Sequence, residues 1–329
     1  MEKERVKQPP GVSVDVERLR AFEAGLDPWH PEASTIPARV LGYGEISTVF
    51  ALEDMPGLAF KRLPIFEAWD ELDRYLAGYE GYIRVLEEDI GIETVPQGYV
   101  ILEGKTGRPV FYIVQERVPA ESVGHAALRC LGGEDATRVF ESSLEALQRV
   151  WEFNRQQDRV LVGIDGQISN WSVQGVAAGC RLPEGALSLL YMDTSTPLYR
   201  LDGVEQLDPE LFLRSAPSFL RWVLRLFFLD DVVNRYYDFR LVVIDLLGNL
   251  HKEGIAELIP GLLTTANRFF VEQVPDMAIE PITEKEVDDY YQEDAFIWRL
   301  YLGMRRLDRW LHRALGMHYP YILPGKIKR

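Results

Sequence analysis

Cysteine is scarce in this chain: Cys130 and Cys180 are its only two, in no CxxC arrangement and with no histidine at metal-ligand spacing. That excludes a cysteine-rich zinc scaffold or a disulfide framework, and two reduced thiols in a cytoplasmic protein are expected. The five histidines are scattered, and no HExxH or HxH pair occurs, so no dedicated zinc site is expected. Long apolar runs are lacking too. The strongest, Phe219–Leu229, is broken by Arg221 and Arg225 and is too short to cross a bilayer. The charged, Pro-containing N-terminus has no apolar signal core. Basic residues are the minority, 36 against 51 acidic, for a net charge of −15. A general nucleic-acid surface needs the opposite balance. Neither a membrane nor a nucleic acid is therefore expected as a partner, although a local basic pocket for one phosphorylated ligand remains compatible with this charge.

What is present is ordinary for a folded protein: 47% hydrophobic and 26% charged residues in 329. At roughly 150 residues per domain, that length suggests about two domains or one two-part fold. Residues 1–36 read as an irregular N-terminal extension punctuated by proline, with a short helix near Val14–Ala24 and Asp15 at its start. A β-rich stretch follows: Ala38–Leu41, Thr48–Leu52, Leu58–Leu63, then Tyr99–Leu102 and Val110–Val118 joined by a turn carrying Gly104 and Gly107. Between them, Trp69, Leu72, Leu76, Tyr79, Ile83 and Leu86 recur at helical steps within Ile65–Ile90. The second half reads as mainly helical: Glu134–Gln157, Pro209–Leu250 in pieces, Ile255–Gln273 and Glu284–Leu315. A short strand at Val160–Ile164 and a returning strand at Ser188–Met192 interrupt it.

Several short patterns carry chemistry. Gly42 and Gly44 lie in a turn between two strands, where the absence of Cβ lets backbone N–H groups approach a polyphosphate. Alternation places Lys61 with Ala59, opposite Leu58 and Phe60, so Lys61 is either a lysine on an exposed sheet face or an interior cation that binds phosphate. An interior lysine needs a counter-charge, and Glu80 in the next helix is the chosen partner. Asp165 and Asn170 form an Asp-x4-Asn pair just after the Val160–Ile164 strand, and Asp193 ends the returning strand. An Asp and an Asn from adjacent hairpin strands make a pair of hard oxygen ligands for Mg²⁺, and a further Asp can take a hydroxyl proton. Taken singly, each has a plain structural reading: a β-turn, a solvated helix face, a turn cap.

Their order, however, resembles the protein kinase-like superfamily, closest to its aminoglycoside and choline kinase-like small-molecule phosphotransferases. The resemblance spans about Arg39–Arg200. It implies an α+β, bilobed fold: a small antiparallel β-sheet lobe with one helix at 37–118, and a larger mainly helical lobe at 119–329 that carries the catalytic loop. It implies that Gly42 and Gly44 cover the phosphates of ATP and that Lys61, paired with Glu80, contacts them. Val114–Pro119 looks like the hinge of that branch, so the backbones of Glu116 and Val118 would bind adenine. Asp165 would be the base, and Asn170 and Asp193 the Mg²⁺ ligands. The implied function is transfer of the γ-phosphoryl group of ATP to a hydroxyl of a small metabolite. The alternatives are a nucleotide-binding pseudokinase or scaffold that contacts a protein partner, or a kinase-like enzyme performing nucleotidyl transfer or protein phosphorylation. The chain departs from the superfamily pattern at Ile164, Gln167 and Ser47, and Thr194-Ser195-Thr196-Pro197 follows Asp193 without a Phe-Gly. These departures disfavour a regulated protein kinase.

Overall fold

The computed structural model describes residues 4–44, 46–176, 180–208, 210–214 and 233–325. In chain order the elements are β1 (Arg5–Lys7), α1 (Val16–Gly25), β2 (Ala38–Tyr43), β3 (Thr48–Leu52), β4 (Leu58–Leu63), α2 (Trp69–Arg84), β5 (Gln97–Glu103), β6 (Pro109–Glu116), α3 (Gly124–Leu131) and α4 (Gly133–Arg155). There follow β7 (Val160–Val162), β8 (Trp171–Val173), β9 (Leu189–Tyr191), β10 (Tyr199–Leu201), β11 (Val204–Glu205), α5 (Glu210–Leu213), α6 (Phe239–Lys252), α7 (Ile259–Glu272) and α8 (Glu284–Ala314). The fold is mixed α+β. The apolar run Phe219–Leu229, and most of the helical stretch expected before residue 233, lie outside the described residues.

The main sheet is antiparallel, in the order β1-β5-β6-β4-β3-β2. Its central strands are buried on both faces, which is why Val110–Val114 reads as an unbroken apolar run. Alternation divides that run. Tyr112 and Val114 join Phe50, Phe60 and Leu102 beneath Leu19 and Phe22 of α1. Phe111 and Ile113 join Ile101 beneath Leu72, Tyr75 and Tyr79 of α2. The expected β5–β6 turn is present, with Gly107 at φ +77° and its N–H bonded to the Gly104 carbonyl at 2.9 Å. Helix α2 starts and ends inside the expected range, and Val85–Ile90 continues it as a π-turn that stops at left-handed Gly91.

The N-terminal extension is less irregular than its prolines suggest. Strand β1 adds an edge to the sheet by pairing with β5, and α1 is capped by Asp15, whose side chain accepts the Arg18 N–H at 2.9 Å. Glu23 of α1 and Arg62 of β4 form a buried two-pronged ion pair, both bonds 2.7 Å, and the Tyr112 hydroxyl also donates to Glu23. Arg62 further donates to the Pro320 carbonyl at 2.7 Å, which fastens the C-terminal segment to the sheet. Burial opposes ionisation of Glu23, but the Arg62 charge and hydrogen bonds outweigh it and hold the carboxyl below its usual range.

In the larger core α4, α6 and α7 pack around Phe140, Leu147, Val243, Leu247 and Ala266, and Tyr82, Leu86 and Ile92 from the end of α2 and just beyond it join them. Two hairpin pieces rest on it: β8 with β9, and β7 with β10 and β11. The expectation of two reduced thiols is corrected here. Cys130 of α3 and Cys180 are joined as a disulfide, with a Cα–Cα distance of 5.6 Å. Beyond Cys180 the chain lies against α4, where Arg138 holds the Pro183 and Gly185 carbonyls at 3.2 and 2.9 Å. Fifty residues of separation in the chain carry no information about that approach.

Breaking one side of the Glu23–Arg62 pair leaves a buried charge unpaired. Glu23→Gln or Arg62→Met is expected to cost about 3–5 kcal/mol in urea unfolding, and the double variant Glu23→Leu/Arg62→Met much less than the sum. Because the folded carboxyl is lowered, the pair's contribution is present above the unfolded carboxylate value of about 4.3 and fades as pH falls toward the folded value. The gap between wild type and the double variant should narrow on acidification. Additive single losses, or a gap that widens in acid, would contradict this account.

Candidate active site

Lys61 sits on the α2 face of β4, since its neighbours Leu58 and Phe60 fill the α1 face. Its side chain is 10% exposed, and its Nζ donates to Asp193 Oδ1 at 2.6 Å and to Ser195 Oγ at 3.2 Å. The same Asp193 oxygen accepts the Ser195 hydroxyl at 2.7 Å and the Ser195 N–H at 3.2 Å. Burial favours the neutral acid at Asp193, but Lys61 and Ser195 outweigh it and hold the carboxyl low. All these donors converge on Oδ1. Among the described residues none reaches Oδ2.

The turn that carries Asp193 is pinned from α2 and the sheet. The Tyr75 hydroxyl donates to the Ser195 carbonyl at 2.7 Å, and Gln115 of β6 donates to the Met192 carbonyl at 2.8 Å. Gln97 Oε1 accepts both the Tyr79 hydroxyl at 2.9 Å and the Thr194 hydroxyl at 2.7 Å. Tyr75 and Tyr79 are one helical turn apart and face this turn together. Glu80, the next residue, is rotated by about 100° around the helix. The expected Lys61–Glu80 pair is therefore corrected: Glu80 accepts instead from Lys7 of β1 and from the Tyr99 hydroxyl, both at 3.3 Å.

Asp165 follows β7 in a loop fixed from several sides. The Ile164 N–H donates to the Tyr236 carbonyl at 3.1 Å, and the Tyr82 hydroxyl to the Gly163 carbonyl at 2.9 Å. Gly124 opens α3 directly against this loop, where a Cβ would come within 2.2 Å of the Ile168 carbonyl oxygen. The Asp165 carboxylate accepts the Gln167 N–H at 3.2 Å, and its backbone carbonyl accepts Asn170 Nδ2 and the Tyr191 hydroxyl, both at 3.2 Å. Burial, then the carboxylates of Asp245 and Asp193, push the Asp165 carboxyl well above the usual range. Asp165 and Asp193 are thus shifted in opposite directions.

Asn170 precedes β8 and Asp193 lies just beyond β9. Trp171 opposes Tyr191 in the ladder, and the Met192 N–H bonds to the Asn170 carbonyl at 2.8 Å, so the amide and the carboxylate occupy adjacent hairpin ends. The amide nitrogen of Asn170 is committed to the Asp165 carbonyl, which leaves its Oδ1 as the atom able to accept or ligate. One carboxylate and one amide oxygen suit Mg²⁺, which takes few protein ligands and completes its shell with water and substrate phosphate. Among the described residues, no three His, Cys, Asp or Glu side chains form a metal-binding group.

The glycine turn and the β6 end are also placed. The β2–β3 register shifts between Val40 and Gly42, and no atom lies within 4 Å of a Cβ built on Gly42. At Gly44 a Cβ would meet the Ser47 hydroxyl at 2.9 Å, and the Gly44 N–H bonds to the Ser47 carbonyl at 3.0 Å. The Glu116 N–H is committed to the Pro96 carbonyl at 2.9 Å. Glu116 is exposed and Val118 half-buried where the chain leaves the sheet.

Sequence reasoning expected helix through Leu250 but missed the part α6 plays in the site. Gln167 Nε2 donates to both oxygens of Asp245 at 3.2 Å, while Asn249 at 3.1 Å and Lys252 at 3.3 Å donate to Gln167 Oε1. These three lie at i, i+4 and i+7, on one face of the helix. Burial and then Asp294 raise the Asp245 carboxyl to about 6. The signal was available: Asp245 and Asn249 are buried polar residues in an otherwise apolar stretch, Leu241–Leu250.

The two lysine–carboxylate contacts are expected to differ in weight. Lys7 and Glu80 are 58% and 42% exposed, so Glu80→Gln should change unfolding stability by less than about 1 kcal/mol. Lys61→Met leaves Asp193 without its cation and should cost about 2–4 kcal/mol, somewhat less than a fully buried pair. Chemical denaturation of both variants is the measurement. A Glu80 effect as large as that of Lys61 would return Glu80 to the centre of the site.

No curated protein matches the sequence. Among solved structures, WaaP in complex with acyl carrier protein is similar over 80% of this chain and 97% of that one, with 14% identity and a TM-score of 0.31. Among the described residues, no helix is long and apolar enough to cross a membrane. Residues 32–309 match the family of unknown function DUF6206, and the chain is a member of that family.

Proposed function

We propose that the protein is a kinase-like phosphotransferase that uses ATP and Mg²⁺ to phosphorylate a hydroxyl of a small metabolite. In this reading the chain is bilobed, with a β-rich nucleotide-binding lobe at 37–118 after the N-terminal extension and a mainly helical lobe at 119–329. The observation that carries it is the 2.6 Å contact of Lys61 with Asp193, 132 residues apart, beside a loop that holds Asp165 and Asn170. A cation, a carboxylate held ionised, an amide oxygen and a second carboxylate of raised proton affinity are brought together from three chain segments.

Each residue then has a task. Lys61 contacts the nucleotide phosphates, and Asp193 holds it in place from the opposite side. Gly42 and Gly44 let the β2–β3 turn lie over those phosphates without side-chain obstruction. The backbones of Glu116 and Val118 bind the adenine edge. Asp193 and Asn170 would hold Mg²⁺, which when bound would supply charge neutralisation at the phosphate oxygens. Asp165 orients the acceptor hydroxyl and takes its proton. Its raised proton affinity suits that step, because a base works best when its pKa approaches the working pH. Asp245, Gln167 and Asn249 brace the loop from α6. Positioning and electrostatics account for most of phosphoryl transfer, and this set provides both. Glu80 has no part in the reading.

Asp165→Asn keeps size and loses the proton acceptor. ATP affinity by calorimetry at fixed Mg²⁺ should hold within about twofold, and turnover should fall by about 10²–10⁴. Asp193→Asn removes an anionic ligand, so affinity and turnover should both weaken, and removal of Mg²⁺ should mimic it in the wild type. Label from γ-labelled ATP should reach a metabolite pool, and label from α-labelled ATP should not. Equal small effects from the two substitutions, or transfer of the α label, would overturn the proposal.

A further inference from the structure

A cavity of about 400 Å³ lies beside the β2–β3 turn. It is bounded by Trp29 before the Pro31–Ala33 turn, by Arg39 and Tyr43 of β2, by Arg309 of α8, and by Ile322 and Pro324 of the C-terminal segment. It shares no lining residue with Lys61, Asp165, Asn170 or Asp193. Its volume falls in the range of small-molecule sites, about 300–1,000 Å³.

The walls are built. The Trp29 N–H donates to Asp27 at 2.9 Å, and the Arg309 guanidinium lies 4.3 Å from the Trp29 ring centroid, with Arg313 at 5.3 Å. Arg306 holds the Gly325 and Pro324 carbonyls at 2.6 and 3.3 Å, and the Thr48 hydroxyl donates to the Ile322 carbonyl at 3.4 Å, so the C-terminal segment is a fixed wall.

The charge is unbalanced in a strongly acidic protein. Arg305, Arg309 and Arg313 follow at i, i+4 and i+8 on one helical face. Arg309 has no carboxylate partner among the described residues, and its Nε is buried without a hydrogen-bond acceptor. A buried donor left unsatisfied is costly, so this guanidinium is an anion-binding group in waiting. Burial and the neighbouring Arg306 and Arg305 charges weaken its hold on its proton, as expected of a cation short of an anion. Arg39 is exposed at the rim, also without an ion-pair partner among the described residues. The one acidic lining residue, Glu32, is 3.6 Å from His30.

We propose that this cavity is a second ligand site, for a small soluble phosphorylated molecule, with Arg309 and Arg39 binding the phosphoryl oxygens and Trp29 and Tyr43 forming its walls. Arginine suits the phosphoryl group because its planar fork donates two parallel hydrogen bonds. A cavity of this size suits a small metabolite.

The test is calorimetric titration of the full chain with pyrophosphate, on a Lys61→Met background so that the phosphate contact of the other site is removed. The site is therefore tested independently of the proposed phosphotransferase. The expected result is one binding event per chain, weakened at least about tenfold by Arg309→Gln and again by Arg39→Gln, the scale of losing a charged hydrogen bond. Thermal melts confirm folding of each variant. Arg39 is exposed, so its variant decides the matter alone if Arg309→Gln does not fold. Absence of pyrophosphate binding on the Lys61→Met background, or binding that neither arginine variant weakens, overturns the proposal.

Discussion

A lysine ammonium buried without a partner is too costly for a folded protein to keep. Lys61 is almost wholly enclosed, and the rest of the site follows from where its counter-charge comes from. Asp193 supplies it from the end of β9, so the hairpin of β8 and β9 must approach the main sheet. Tyr75, Gln115 and the Tyr79–Gln97–Thr194 cluster hold the approach at one distance. Asn170 is carried along because it is bonded to the residue before Asp193. Asp165 is carried along in turn, since its carbonyl binds the Asn170 amide. One electrostatic requirement thereby assembles segments that are far apart in the chain.

A second buried ion pair organises the other face of the sheet. Glu23 and Arg62 join α1 to β4, and Arg62 also reaches the Pro320 carbonyl. Arg62 and Lys61 are successive residues, so alternation sends one cation to each face. The strand serves the candidate active site on one side and holds α1 and the C-terminal segment on the other. The arginine-lined cavity beside β2 is a by-product of that closure, because its walls are the segment after α1 and the segment after α8.

Helix α6 shows how a site acquires support that no short motif announces. Asp245, Asn249 and Lys252 all meet Gln167, and Gln167 donates its own N–H to Asp165. The loop is thus braced against a helix about eighty residues later in the chain. The raised carboxyls of Asp165 and Asp245 share a cause, burial beside another carboxylate.

What the sequence by itself determined is local. Alternation and helical spacing located β2, β3, β4, α2 and α4, because backbone periodicity acts over a few residues. The glycine turn, the Asp165–Asn170 spacing and the strand-end Asp193 were legible for the same reason, and so was the face of β4 on which Lys61 lies. The partner of Lys61 was not. Helix α2 carries both Glu71 and Glu80, and its rotation depends on which side chains pack beneath the sheet. Tyr75 and Tyr79 took that face, and one residue's rotation sent Glu80 to β1. The contribution of α6, the fastening of α1 and the C-terminal segment to β4, the Cys130–Cys180 bond and the arginine-lined cavity were likewise decided only in three dimensions. Each joins residues through space, and the free energy of such a contact depends on burial and approach, which chain order does not encode.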